Sequence, residues 1–395
     1  MPAANSVLLI TLPPGLGGIA TQSRMAADLL RAQGHAVTAA WRAHYSTAPQ
    51  LSVPSWKPWR RVGSEASSEL PYPGVAVGSH LPEFEWAHHL ANAHWRRLID
   101  SHEKIVVVSG NVLPAWAPHA LKRKSLNWIA SPWWGDREAR VAAWPAWRRA
   151  YDALLNAPVA RRQEKILLRD SDTWAIGDYA CRELRALVPV NRVHGIIVIP
   201  VDTGLFRPAD EPRPGGGFRI GVSGRISDPR KNMALLVQGF ARFLAHHPDA
   251  ELHVRGDLAR EDFIARFQAQ AIAQALQVGP PVPRAQMPQF LRSLDCFAVT
   301  SQQEGLSQIA MEAMACGACV VSTRCGGPEE FVLDGDTGLL TGFEPAELAD
   351  AFARLAGEPA LGRRLGAAGA ALIARRYSQA RFEEQFLAAL AQVFP

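Results

Sequence analysis

Residues 296–315, Cys296-Phe297-Ala298-Val299-Thr300-Ser301-Gln302-Gln303-Glu304-Gly305-Leu306-Ser307-Gln308-Ile309-Ala310-Met311-Glu312-Ala313-Met314-Ala315, decide how this chain is read. The apolar run 296–300 has the length and composition of a buried strand, and 301–305 is a polar turn. From about Leu306 to Ala315 the residues predict a helix, which Ile309, Met311 and Met314 mark as buried. Amides near Ser307 and Gln308 would then face an anion at the positive end of the helix dipole. Glu312, about five residues into the helix, lies roughly 7 to 8 Å along its axis, comparable to the span from a diphosphate to the ribose of one nucleotide. Glu304, in the turn, would point toward whatever is attached to the distal phosphate. The alternative, Glu304 merely favouring a helix start and Glu312 solvated, fits poorly with the apolar flanks.

Upstream, Gly221-Val222-Ser223-Gly224-Arg225 is a strand running into a glycine turn, with Lys231 six residues after Arg225 at a helix start. Arg through its planar fork and Lys as a point charge can together neutralise a diphosphate. A solvated cation pair is the alternative reading. Around these motifs the expected series is strand 218–223, helix 232–245, strand 251–255, helix 262–276, helix 285–293, strand 296–300 and strand 318–322. Before them, 200–218 crowd Pro, Gly and charge together and mark a domain boundary.

An earlier α/β series starts at once, with strand 7–12, helix 19–33 and strand 36–40, becomes irregular over 41–82, and resumes as strands 105–108, 126–130, 173–176 and 195–199. At 395 residues the chain exceeds one ordinary core, so two parallel α/β domains are expected. Their limits are 1–200 and 201–378, with a last helix over 379–395. All twelve tryptophans lie between Trp41 and Trp174, and all five cysteines at or after Cys181. The odd cysteine count in a large chain argues against a disulfide framework.

In the first domain, Pro13-Pro14-Gly15-Leu16-Gly17-Gly18-Ile19-Ala20 links a strand to a helix, a turn that can bring amides to a phosphate. Gly15, Gly17 and Ala20 match the dinucleotide fingerprint, but 35–45 lack the ribose-binding acid that a nicotinamide or flavin site needs. A bare tight turn is the other reading.

The stretch 304–340 resembles the E-x7-E region of retaining GT-B glycosyltransferases, the large family 4-like or "group 1" family that includes sucrose synthases and bacterial mannosyl- and glucosyltransferases. Residues 223–232 resemble that family's G-R-(x)5-K phosphate motif, 198–208 its interdomain segment, and 13–37 its opening glycine loop and helix. The likeness spans nearly all of 7–340, with 41–159 least constrained. It implies two Rossmann-like domains facing each other across a cleft, acceptor on the first and nucleotide sugar on the second, with the terminal helix packing back toward the first. It also implies a hexosyl transfer with retention and no metal or cofactor. By position, Arg225 and Lys231 hold the donor diphosphate beside the Gly224 turn, Glu304 the transferred sugar, and Glu312 the ribose. Amides of Ser307, Gln308 and Ile309 bind phosphate, Gly17 and Gly18 approach from the opposite domain, and Gly326, Gly327 and Glu330 belong to the following loop. The family's mid-domain histidine has no counterpart in 127–137, where Ser131 or Asp136 fills part of the space, or nothing does.

Two rival functions keep the same architecture: a non-catalytic nucleotide-sugar-binding subunit, and a nucleotide-sugar 2-epimerase. Cys316-Gly317-Ala318-Cys319 spells a redox motif but closes a helix instead of opening one. Asp334-Gly335-Asp336 is a polar turn, and no His or Cys cluster offers a metal site. The net charge of +5 suits nucleotide phosphates or an acidic membrane, and no nucleic-acid motif is present. Trp56-Lys57-Pro58-Trp59-Arg60-Arg61 and the aromatic-basic stretch 133–149 suit peripheral contact with an anionic membrane, an acceptor groove, or simple packing. Without an apolar run of about 18 residues or a signal-peptide pattern, a cytoplasmic protein is expected, with a glycan, lipid-linked or small-molecule hydroxyl as acceptor.

Overall fold

The computed structural model of the chain describes residues 3–15, 18–135, 137, 141, 144–209 and 216–395. They form two compact units, Met1–Val198 with Glu383–Pro395, and Ile199–Phe382.

The first unit carries an eight-stranded sheet: β1 (Ala3–Thr11), β2 (Ala36–Arg42), β3 (Ser64–Ser67), β4 (Gly74–Val77), β5 (His102–Ser109), β6 (Leu126–Ile129), β7 (Thr173–Ala175) and β8 (Val193–Ile196). The order is β3-β4-β2-β1-β5-β6-β7-β8, parallel except for β3 against β4. Val7, Leu8, Leu9 and Ile10 of β1 and Ile105 to Val108 of β5 are wholly buried, as a parallel sheet covered on both faces requires. The irregular stretch 41–82 is where β3 and β4 form the edge.

The second sheet consists of β9 (Arg219–Gly224), β10 (Glu251–Gly256), β11 (Leu276–Gly279), β12 (Cys296–Val299), β13 (Cys319–Thr323) and β14 (Gly338–Thr341), all parallel, in the order β11-β10-β9-β12-β13-β14. Counted within the unit this is 3-2-1-4-5-6, the doubly wound order, in which the direction of strand addition reverses between β9 and β12. Phe240, Phe243 and Phe352 pack beneath it with Ile220, Leu252 and Val254.

Residues 262–276, expected as one helix, are divided. A helix over Arg260–Phe267 ends at Gln268, whose φ is +53°, a 3-10 turn spans Ala269–Ala275, and Leu276 begins the edge strand β11. Phe263, Phe267 and Ala271 keep an i, i+4, i+8 spacing across the break, which hid it.

The division between units falls at 198/199, slightly before the expected 200/201. Val201 already bonds Tyr377 of the second unit through its N–H (2.8 Å). The last helix, Gln379–Val393, enters the first unit at Glu383. There Phe386 meets the Trp128 ring edge-on at 6.1 Å, and Val198 N–H donates to Gln385 Oε1 at 3.0 Å.

Candidate functional site

In doubly wound sheets ligands bind beyond the carboxyl ends of the strands where the order reverses, here the ends of β9 and β12. β9 ends at Gly224, whose φ of +139° suits glycine and turns the chain outward. Asp228 caps the next turn, accepting from Arg230 N–H at 3.0 Å, and Lys231 closes the Pro229–Lys231 turn ahead of the helix Met233–Leu244. This loop is tied to the loop after β12: Thr300 Oγ1 donates to Lys231 O (2.9 Å) and Gln302 N–H to Arg230 O (2.8 Å).

The ties bring the predicted cation and acid together. Lys231 Nζ sits 2.5 Å from Glu304 Oε1, and Ser301 Oγ donates to the same oxygen at 2.7 Å. Both side chains are largely buried, at 22% and 16% exposure, so water screens the pair weakly. The loop after β13 pins Glu304 from the other side, with Glu304 N–H on Cys325 O (2.8 Å) and Gly327 N–H on Glu304 O (2.9 Å). A Cβ on Gly327 would lie 2.3 Å from Gly305 O, so this approach requires glycine.

The helix starts at Gln308, two residues later than expected, because Ser307 takes the left-handed conformation (φ +67°, ψ +73°). That conformation costs a non-glycine residue about 1–3 kcal/mol and persists only where its surroundings hold it. Ser307 Oγ is buried without a hydrogen-bond partner, and Ser307 and Ile309 border a small cavity with Ser223, Lys231, Thr300 and Ser301. Glu312 is buried four residues into the helix. Its Oε1 accepts from Arg284 Nη1 (3.1 Å) and Gln308 Nε2 (3.3 Å). Burial pushes the Glu312 pKa up, while the Arg284 charge and these two bonds pull it back.

Arg225 is 75% exposed and pairs only with Asp228 (3.6 Å) among the described residues, so it stands outside the Lys231–Glu304 contact. Glu330 is buried in the turn Gly327–Glu330. Gly18 opens the first-unit helix Gly18–Ala32, while Gly17 and Asp136 lie outside the described residues. Ser131 Oγ donates to Gly110 O at 3.2 Å.

Arg284 was not among the residues named from sequence. It follows a Pro-rich loop and reaches Glu312 across 28 positions, with its guanidinium 5.1 Å over the Phe206 ring. Its neighbours in sequence, Pro280 to Pro283, carry no signal for such a partner. Also unforeseen is a buried polar set behind the 127–137 segment. Arg137 is buried between Asp152 and Glu85, Trp133 Nε1 donates to Glu85 Oε2 (2.5 Å), and Trp133 N–H donates to Glu164 Oε1 (2.6 Å). Burial drives the Glu164 pKa to about 7.

Cys316 and Cys319 are buried free thiols whose pKa values burial pushes up to about 12, so neither offers a thiolate for redox exchange at neutral pH. Asp334 Oδ1 accepts from Leu340 N–H at 2.9 Å, and among the described residues no group of three or more His, Cys, Asp or Glu side chains is placed to hold a metal.

Residues 217–358 match the family model described as Glycosyl transferases group 1. A D-inositol 3-phosphate glycosyltransferase of Arthrobacter sp. (strain FB24) is 34% identical over 183 residues, 43% of each chain. The enzyme of that name from Actinosynnema mirum is 30% identical over 249 residues, 58% of this chain and 59% of its own. The chain thus spans about half the length of the curated relatives it matches. Two solved structures share the fold: sucrose-phosphate synthase from Thermosynechococcus elongatus (TM-score 0.74, 17% identity, 98% of this chain and 99% of that one), and Anabaena HepE in complex with UDP-glucose (TM-score 0.68, 16% identity, 98% and 99%). Residues 217–358 are thus similar to the glycosyl transferases group 1, and the chain shares the GT-B fold over nearly its whole length.

Proposed function

We propose that the protein is a glycosyltransferase that moves a sugar from a nucleotide-diphosphate sugar to an acceptor hydroxyl, with retention and without a metal, in bacterial glycoconjugate synthesis. The observation that carries this reading is the Lys231–Glu304 pair at the switch between β9 and β12, with buried Glu312 on the adjoining helix. A donor diphosphate would take the Lys231 ammonium from Glu304, with Arg225 free to swing in from solvent. The amides of Ser307, Gln308 and Ile309 and the unpaired Ser307 hydroxyl would complete the phosphate cradle. Glu304 would then receive the sugar hydroxyls and Glu312 the ribose. Negative charge grows on the leaving diphosphate as the glycosidic bond breaks, so fixed donors there lower the barrier. The departing phosphate oxygen can take the acceptor proton.

In this reading the protein works in the cytoplasm, its acceptor is a glycan, lipid-linked or small-molecule hydroxyl, and the Trp- and Arg-rich first unit touches the membrane peripherally. The relatives' name, with inositol 3-phosphate in it, makes a phosphorylated polyol the first acceptor to try. The test is to incubate purified protein with a panel of nucleotide sugars and acceptors and follow diphosphate release and the anomeric configuration of the product. Release from one cognate donor, with a retained linkage, supports the reading. Binding without release identifies a binding subunit, and an epimerised sugar without acceptor identifies an epimerase.

A further inference from the structure

The helical run of residues 146–170 in the first unit is amphipathic in the ordinary sense over 157–170, where Ala157, Ala160, Leu167 and Leu168 are buried, and in the wrong sense for a protein in water over 146–156, whose buried residues are Asp152 and Asn156. It comprises the helix Ala146–Tyr151, the π-turn Asp152–Asn156 and the helix Ala157–Asp170. A surface helix ordinarily buries apolar side chains and shows polar ones to solvent. Here the inward face includes Asp152, Asn156, Gln163 and Glu164, each satisfied by a specific bond. Asp152 pairs with Arg137, Asn156 Oδ1 accepts from Glu85 N–H (2.8 Å), Gln163 Nε2 donates to Trp86 O (3.1 Å), and Glu164 accepts from Trp133 N–H.

The outward face holds what such a helix would bury. Trp147 is 72% exposed and Leu154 75%, with Tyr151 and Leu155 beside them at helical spacing. The same face continues as Arg161, Arg162, Lys165 and Arg169, which line a surface groove with Pro158 and Val188. Asp152 and Glu164 point inward, and Asp170 is paired to Arg169 at 2.7 Å, so the outward charge is cationic. Arg161 also lies 4.3 Å over the half-exposed Trp134 ring.

We propose that the outward face of residues 146–169 docks the protein on an anionic lipid bilayer, with the helical run lying in the plane of the headgroups. Trp147, Leu154 and Leu155 enter the boundary between headgroups and acyl chains, and Arg161, Arg162 and Lys165 meet lipid phosphates. The combination selects this partner. A second copy would bring like charge against like charge, and a nucleic acid has no use for exposed leucines. The proposal rests on the peripheral contact read above but locates it away from residues 56–61, and it does not depend on the transfer reaction.

The test is co-sedimentation of the full chain with vesicles of equal parts phosphatidylglycerol and phosphatidylcholine, against phosphatidylcholine alone. Binding to the anionic vesicles only, weakened by salt, is expected. R161Q/R162Q/K165Q should lower vesicle affinity about a hundredfold, and L154S/L155S at least about tenfold. Both variants should keep the wild-type thermal midpoint, because the exchanged side chains are exposed. No binding by the wild type, or equal binding by both variants, overturns the proposal. So does a lipid-free dimer that L154S/L155S dissociates, which would make the face an interface between copies. Donor turnover measured without vesicles separates the two readings: its absence, with vesicle binding intact, removes the transfer reading and leaves the docking face standing.

Discussion

Lys231 and Glu304 share one short contact, 2.5 Å from Nζ to Oε1, although they come from loops on two strands 73 positions apart in the chain. A partly buried ammonium and carboxylate so placed hold each other aimed until a ligand competes for them. Lys231→Ala is expected to lower donor turnover by roughly 100- to 1,000-fold, the range for losing a fixed group that meets developing charge. Glu304→Gln keeps an acceptor for Ser301 and should preserve the fold while losing turnover. Steady-state diphosphate release and a thermal melt on each variant check this; near-normal turnover in either removes the site assignment.

Arg284 holds Glu312 from outside the helix. Without it, only the Gln308 bond still opposes burial, and the carboxyl pKa rises further. Arg284→Gln should therefore raise the donor KM about tenfold, with a much smaller change in kcat, because the contact serves binding in ground and transition states alike. The defect should ease as pH rises and Glu312 ionises. A kcat loss without a KM change would show that Arg284 acts elsewhere.

Glu164 gives the first unit a pH-dependent stability. Its folded pKa, about 7, stands above the ordinary 4.5, so the folded state holds a proton the unfolded chain has released. Its stabilising contribution is full below about pH 4.5 and is lost as pH rises through about 7, by up to about 3 kcal/mol. Glu164→Gln, which still accepts from Trp133 N–H, should flatten that dependence and raise the melting temperature at about pH 8. Melting curves across the window decide; an unchanged slope sinks the prediction.

Gly327→Ala places a methyl 2.3 Å from Gly305 O and 2.5 Å from the Leu306 backbone. Both obstacles are main chain and cannot rotate away. A loss of about 1–3 kcal/mol is expected from overpacking, together with a donor-binding defect as the Glu304 loop shifts. Denaturant unfolding and donor titration measure the two effects. Full stability would mean the loops separate freely.

The sequence carried the local part of this site. Glu304 and Glu312 are eight positions apart, and the strand, polar turn and buried helix that carry them are readable from apolar spacing alone. The glycine turn before Arg225 and Lys231 was equally local. What escaped were partners brought together by the fold: Arg284 against Glu312, and Arg137 between Glu85 and Asp152. Their neighbours give no periodic signal, because long-range pairs are set by tertiary packing and not by segment pattern. The short edge strand β11 was missed for a related reason: only Leu276 fell within the expected helix, and four residues are too few to establish a period of two.

The adjacency of β9 and β12 also has a kinetic meaning. Their loops close over a long stretch of chain, and such closures come late because entropy is lost before contacts repay it. The Lys231–Glu304 contact therefore assembles only when both halves of the second unit have docked. A nascent chain with one half in place lacks the cavity beside that contact, so a ligand for the cavity would act as a selective stabiliser of finished molecules and leave partly folded ones unprotected.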